Sequence, residues 1–205
     1  MIWSEGAIQM RKTRFHLPAL LCAGLALLPL AAPLACDIPP GAVVTDFDAK
    51  RMTKFDMSRD RGLAEAMQGE NAEERAVLAA IFAGDAPLDA IPDGAYRCRT
   101  IKLGGLLPLV VYGYFDCTIS GGGTFIEKRT GSQRFTGSLT PSGDSLFYAG
   151  ALHYGDEQPL AYGADIDRDQ VGCLGAIAGA PGHYRLEMPA PRRESVHDVI
   201  ELVAR

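Results

Sequence analysis

YRCRTIKLGGLLPLVVYGYFDC, residues 96–117, is the stretch on which the fold turns. Two apolar-rich runs, 96–102 and 110–119, flank the turn-forming GGLLP and read as an antiparallel hairpin. Setting Cys98 opposite Cys117 places Tyr96 against Ile119 and Thr100 against Phe115 on one face. On the other face Arg97 meets Thr118 and Arg99 meets Asp116. One register then supplies an apolar face, an opposite-charge pair and a disulfide. Antiparallel partners lie about 4.5–5.5 Å apart at Cα, within disulfide reach. Closing a loop of this size stabilises by about 3 kcal/mol in the chain-entropy model.

A disulfide calls for an oxidising compartment, and the amino terminus points the same way. Arg11, Lys12 and Arg14 precede the apolar run ALLCAGLALLPLAA at 19–32. This is the layout of a signal peptide over residues 1–35, with translation starting at Met1 or at Met10. Pro18, Pro29 and Pro33 interrupt the run and leave it short for a membrane span. PLACD sets Cys36 behind Leu34 and Ala35, as in a bacterial lipoprotein box, although Pro33 stands where Leu is usual. Cys36 is therefore a candidate for lipidation, in competition with ordinary cleavage after Ala32 or Ala35. The expected location is exported and periplasmic, soluble or lipid-anchored. An anchor at Cys36 is the one expected membrane attachment.

Beyond residue 35, loss of Arg11, Lys12 and Arg14 leaves 17 basic residues and loss of Glu5 leaves 24 acidic ones, a net charge of −7. That balance argues against nucleic acid as a partner. About 170 residues suffice for a single core. Cys36, Cys98, Cys117 and Cys173 remain, with three possible connectivities. Cys173, in QVGCLGAI, reads as a small buried apolar residue. A Cys36–Cys173 bond is open to the chain if Cys36 carries no lipid.

Residues 36–44 form a Pro-rich linker and 45–83 a helical segment. Thr45 can cap a helix bearing Phe47, Met52 and Phe55, and Ser58 can start another. Asn71 with Glu74 resembles a capping box before Val77, Leu78, Ile81 and Phe82. Residues 94–205 are β-rich, with strands expected at 95–102, 109–119, 123–129, 133–140, 145–152, 169–178, 182–188 and 197–203. SGGG, TGS, PSGD and GAPG separate them. At 184–188, Tyr184, Leu186 and Met188 face one way, Arg185 and Glu187 the other. LFYAGAL and VVYGYF are apolar on both faces and need cover, which the helices can supply. The expected fold is α+β: a short N-terminal helical layer packed on an antiparallel, meander-type β-barrel or strongly curled sheet, in one domain.

GAYRC at 94–98, YFDC at 114–117, TGSQRFTG at 130–137, YGADIDRDQVG at 162–172 and ESVHDVIELV at 194–203 resemble a bacterial family known as domain of unknown function 4893. The resemblance implies an exported protein, often with a lipoprotein-like leader. It brings no activity, ligand or catalytic residue.

Asp165, Asp167 and Asp169 alternate as in a calcium loop, but Gln170 and Ala176 stand where Gly and Glu belong. His153, His183 and His197 lack zinc spacing. HYGDE puts His153 near Asp156 and Glu157, an acid–base arrangement or a solvated hairpin end. Gln133, Arg134, Arg168, Asp169 and Gln170 are polar groups at strand ends. They suit a structural network, with Arg134 or Arg168 paired to Asp169, or a ligand cluster at a barrel mouth. No catalytic residue, metal or cofactor is assigned. The expected role is a non-catalytic binding or interaction module of the cell envelope, with an unidentified protein or small molecule as partner. The alternatives are a calycin-like barrel for a small molecule or lipid, and a hydrolase of unrecognised type. An apolar cavity favours the barrel, and His153 converging with carboxylates favours the hydrolase.

Overall fold

Three short helices precede ten antiparallel strands in a computed structural model that describes residues 1–2 and 36–205. The signal-peptide reading of residues 1–35 lies outside the described residues apart from the first two. The helices are α1 (Asp46–Met52), α2 (Phe55–Ala66) and α3 (Ala72–Ile81). The strands are β1 (Asp85–Ala86), β2 (Gly94–Leu103), β3 (Leu109–Val111), β4 (Phe115–Ser120) and β5 (Phe125–Lys128), then β6 (Gln133–Ser142), β7 (Ser145–Tyr154), β8 (Asp169–Ile177), β9 (His183–Pro189) and β10 (His197–Ala204).

Eight strands close in the order β2–β4–β5–β6–β7–β8–β9–β10, with β10 returning to β2. Closure removes the free sheet edges that an open meander would expose. β3 adds to β2 and β1 to β8. The expected α+β barrel is thus the fold. Alternate residues point inward and fill the barrel, among them Tyr96, Ile119, Ile126, Phe135, Tyr148, Leu174, Leu186 and Leu202. Tyr148 is fully buried, and Gly137 pairs with Gly150 beside it. A Cβ on Gly150 would lie 2.3 Å from the Tyr148 hydroxyl oxygen and 2.2 Å from the Thr136 carbonyl. Gly150→Ala is therefore expected to lower the unfolding free energy by about 1–3 kcal/mol through overpacking. Urea titration measures it, and an unchanged midpoint would show that the ring has room to move.

The decisive hairpin forms in a different register. Cys98 lies opposite Phe115, Tyr96 opposite Cys117, and Arg97 opposite Asp116, two residues from the expected pairing. The expected single strand over 109–119 is interrupted. β3 pairs Val111 with Ile101, while β4 resumes with Phe115 opposite Cys98. Three residues, Tyr112–Tyr114, thus face two on β2, which is a β-bulge. The extra residue restores the inward face for Phe115 and Cys117 after Val111 has faced outward. Cys98 and Cys117 still meet, now on a diagonal, with Cα atoms 5.8 Å apart. Arg99 pairs with Glu201 of β10 instead of Asp116.

Thr45 caps α1 by accepting from the Asp48 amide, and Asn71 caps α3 by accepting from those of Glu73 and Glu74. α2 begins at Phe55, so Ser58 lies inside it rather than at its start. The principal helix contacts are with β8, β9, β10, β2 and β3. That covers the VVYGYF end, whereas LFYAGAL on β7 is not among the main helix-bearing strands. Gly62 lets α2 lie directly on the barrel, since its Cβ would be 3.0 Å from the Cβ atoms of His197 and Leu103. Ala66, Leu78, Ile81, Ile101, Leu103, Ile177 and Val199 form the apolar layer between helices and barrel wall.

Charge is buried in the same layer. Glu187 is wholly inaccessible. Its Oε2 accepts from Arg59 Nε at 2.7 Å and its Oε1 from Arg185 Nε at 2.7 Å. Arg185 also donates to Asp85 at 2.5 Å and to the Ile81 carbonyl at the end of α3. One outward-facing carboxylate thus ties α2, α3, β1 and β9 together. A second disulfide, Cys36–Cys173, pins the linker to β8, with Cα atoms 5.7 Å apart. Cys173 packs there with Phe55 and Met52.

Candidate functional site

At one end of the barrel the inward-facing side chains turn polar. Lys102 of β2, Gln133 of β6, Gln170 of β8 and Asp198 of β10 line a cavity of about 340 Å³, with Leu152 and Met188 at its apolar side. The turn at 165–168 and the β9–β10 connection, Pro191–Glu194, complete its rim.

α1 sets one wall through Arg51. This nearly inaccessible guanidinium donates from Nε to the Pro189 carbonyl at 3.2 Å and from Nη1 to the Asp169 carbonyl at 3.2 Å. It also pairs with buried Asp48 at 2.9 Å. Burial lowers the Arg51 pKa and Asp48 opposes that shift. Tyr162 donates to Asp48 Oδ2 at 2.5 Å, which fixes the 155–168 connection against α1.

Asp169 opens β8 beneath this wall. Its Oδ1 accepts from the Gly163 amide at 2.8 Å, whereas its Oδ2 is buried without a hydrogen-bond partner among the described residues. Burial raises its pKa, the Gly163 amide opposes this, and Asp48 and Asp165 add to it; Arg192 lowers it. Arg192 Nε is likewise buried and unpartnered, while its Nη1 lies 3.4 Å from Asp167 and its guanidinium 3.8 Å from the Phe47 ring centre. Two residues that line the cavity therefore each carry a buried polar atom without a hydrogen-bond partner among the described residues, one an acceptor and one a donor, and their charges act on each other. Burying such groups without partners costs free energy, and structures keep them where a ligand or a water satisfies them. Across the cavity burial raises the Asp198 pKa. Burial disfavours the Lys102 charge, but Asp198 and Glu194 outweigh it and raise the ammonium pKa.

Of the five residues singled out from sequence, Gln133, Arg168, Asp169 and Gln170 line this cavity. Arg134 does not; it pairs with Asp156 at 3.2 Å and donates to the Gly131 carbonyl. The expected pairing of Arg134 or Arg168 with Asp169 is replaced. Arg168 binds Glu157 at 2.5 Å and Asp165 at 3.3 Å. Asp167 donates its amide to Asp165 Oδ1, so the alternating aspartates are used in turn and ion-pair contacts. His153 is buried, with both ring nitrogens unpartnered, and meets no carboxylate by hydrogen bond. Arg51, Lys102, Arg192 and Asp198 were not foreseen. Only their distant positions in one chain are visible in sequence, and barrel closure brings them together.

Among the described residues no helix is long and apolar enough to cross a membrane. No curated protein and no solved structure matches the chain. A family model described as Domain of unknown function (DUF4893) matches residues 41–202, which takes in all three helices and the whole barrel but its last residues. The chain belongs to that family.

Proposed function

We propose that this protein is an exported binding module of the bacterial cell envelope whose barrel mouth receives a small polar ligand. The observation that carries the reading is the pair of buried, unpartnered groups at the mouth, Asp169 Oδ2 and Arg192 Nε. A ligand presenting a donor and an acceptor side by side, such as a sugar diol or the amine and carboxylate of an amino acid, satisfies both at once. The barrel interior is packed with apolar side chains, which supports a ligand held at the mouth over a lipid swallowed by the barrel. Two cystines support export to an oxidising compartment such as the periplasm. A lipid thioether at Cys36 and its bond to Cys173 need the same sulfur atom, so the disulfide-linked form carries no anchor there.

Thermal unfolding with monosaccharides and free amino acids at millimolar concentration tests the reading. At about 100 times its dissociation constant a ligand adds about 2.7 kcal/mol, which moves the midpoint by several degrees. One of these classes is expected to raise the midpoint, and Asp169→Asn and Arg192→Gln are each expected to abolish the shift. No shift with either class, or a shift that survives both substitutions, would contradict ligand binding at the mouth.

A further inference from the structure

Beneath α2, on the outer wall of the barrel, a hydroxyl, an imidazole and a carboxylate stand in line. Ser58 Oγ lies 2.8 Å from His197 Nδ1, and His197 Nε2 lies 3.0 Å from Glu187 Oε2. Arg59 and Arg185 hold the carboxylate, and the Phe55 ring meets the imidazole edge-on at 5.7 Å. With Glu187 ionised, His197 Nε2 must carry the proton it shares. Nδ1 is then an acceptor for the Ser58 hydroxyl, whose one proton has a second acceptor in the Phe55 carbonyl at 3.1 Å. This is the connectivity that activates a serine nucleophile, with the two ring nitrogens exchanged relative to the familiar order.

Ser58 also lines a groove of about 550 Å³. Met57, Leu106 and Val196 give it an apolar wall, and Lys54 and Arg61 stand at its rim. Ala190 and Glu194, in the same wall, hold φ angles of 43° and 72°. Left-handed backbone at non-glycine residues is strained and gathers at functional sites. The first amides of α2 stand one turn before Ser58 in the chain, and amides at a helix start have no intrahelical acceptor.

We infer that Ser58 is a nucleophile for acyl transfer, acting on a carboxylic ester with an apolar acyl chain and an anionic remainder. Ser58 Oγ bonds to the carbonyl carbon while its proton passes to His197 Nδ1. The carbonyl carbon–alkoxide bond breaks, and the alkoxide leaves with that proton as an alcohol. Water then attacks the acyl-serine, giving its proton to His197, which returns one to Ser58 as the carboxylic acid departs. The apolar wall receives the acyl chain, and Lys54 receives the anionic part, Arg61 being paired with Glu65 at 2.7 Å. This site is separate from the barrel mouth, although Pro191 and Glu194 line both cavities.

The test is labelling of the folded wild-type protein with a small alkyl fluorophosphonate, followed by peptide mapping, alongside hydrolysis of p-nitrophenyl butyrate. One adduct, on Ser58, is expected. Hydrolysis is expected to fall by about 100-fold or more in Ser58→Ala and in His197→Gln. Mapping the wild-type adduct needs no variant to fold. Absence of an adduct on the folded protein, an adduct elsewhere, or hydrolysis unchanged in folded Ser58→Ala would overturn the inference.

Discussion

Replacing Glu187 with alanine is expected to lower the unfolding free energy by about 3–5 kcal/mol, because it removes the carboxylate that two buried guanidinium groups share. Arg59 and Arg185 both lose their shared acceptor, while Arg185 keeps Asp85 and the Ile81 carbonyl. Removing the whole cluster is a different experiment. The triple variant Arg59→Met, Glu187→Leu, Arg185→Met is expected to cost less than Glu187→Ala alone, since apolar side chains of similar volume fill the layer without desolvated charge. Urea denaturation of both variants distinguishes a charge effect from a packing effect. If the triple variant is the less stable, the network contributes net stability.

The same carboxylate sets the acid limb of stability. Burial pushes the Glu187 pKa up, but the hydrogen bond from His197 and the charges of Arg185, His197 and Arg59 outweigh it. The result lies well below the usual carboxylate range. A carboxyl depressed in the folded state contributes stability that is present above its unfolded pKa, near 4.5, and is lost as pH falls through the folded value. Asp169 and Asp198 are shifted upward, chiefly by burial, so they act in the opposite sense as they protonate. The wild type is therefore expected to lose stability below about pH 4.5 more steeply than Glu187→Gln, as measured by urea titration across pH 2–6. Equal slopes would remove Glu187 from the acid response.

Loss of either disulfide is the second large effect. Cys98–Cys117 joins residues 19 apart and Cys36–Cys173 residues 137 apart. In the chain-entropy model the longer loop gives the larger stabilisation, approaching about 5 kcal/mol, against about 3 kcal/mol for the shorter. Native cystines removed from small secreted domains cost about 2–5 kcal/mol. Cys36→Ala with Cys173→Ala is expected to cost at least as much as Cys98→Ala with Cys117→Ala. It also frees the linker from β8. A larger loss from the Cys98 and Cys117 pair would mean that packing inside the barrel, not chain closure, sets the value.

The strands were legible because glycine-containing turns bound most of them and alternation marks the inward face, as at Tyr184, Leu186 and Met188. The hairpin register was not. One extra residue at Tyr112–Tyr114 shifts every pair beyond it, and nothing in VVYGYF distinguishes a bulge from a continuous strand. Alternation sets Arg185 and Glu187 on the face opposite Tyr184, Leu186 and Met188, and in the structure that outer face is covered. α2 brings Arg59 and Ser58 across more than a hundred residues of chain. The mouth was half legible. Gln133, Arg168, Asp169 and Gln170 could be picked out as polar groups ending apolar strands, whereas Arg51, Lys102, Arg192 and Asp198 join them only through barrel closure.

Both candidate sites sit on a barrel whose β2–β4 hairpin and linker are each held by a cystine. The direct measurement is peptide mapping, without reduction, of the full-length chain expressed with its own amino terminus and recovered from the periplasm. The expected result is two cross-linked peptide pairs, Cys36 with Cys173 and Cys98 with Cys117, and no acyl mass on Cys36. Free thiols at Cys98 and Cys117, a crossed pairing, or a diacylglyceryl group on Cys36 with Cys173 reduced would contradict it.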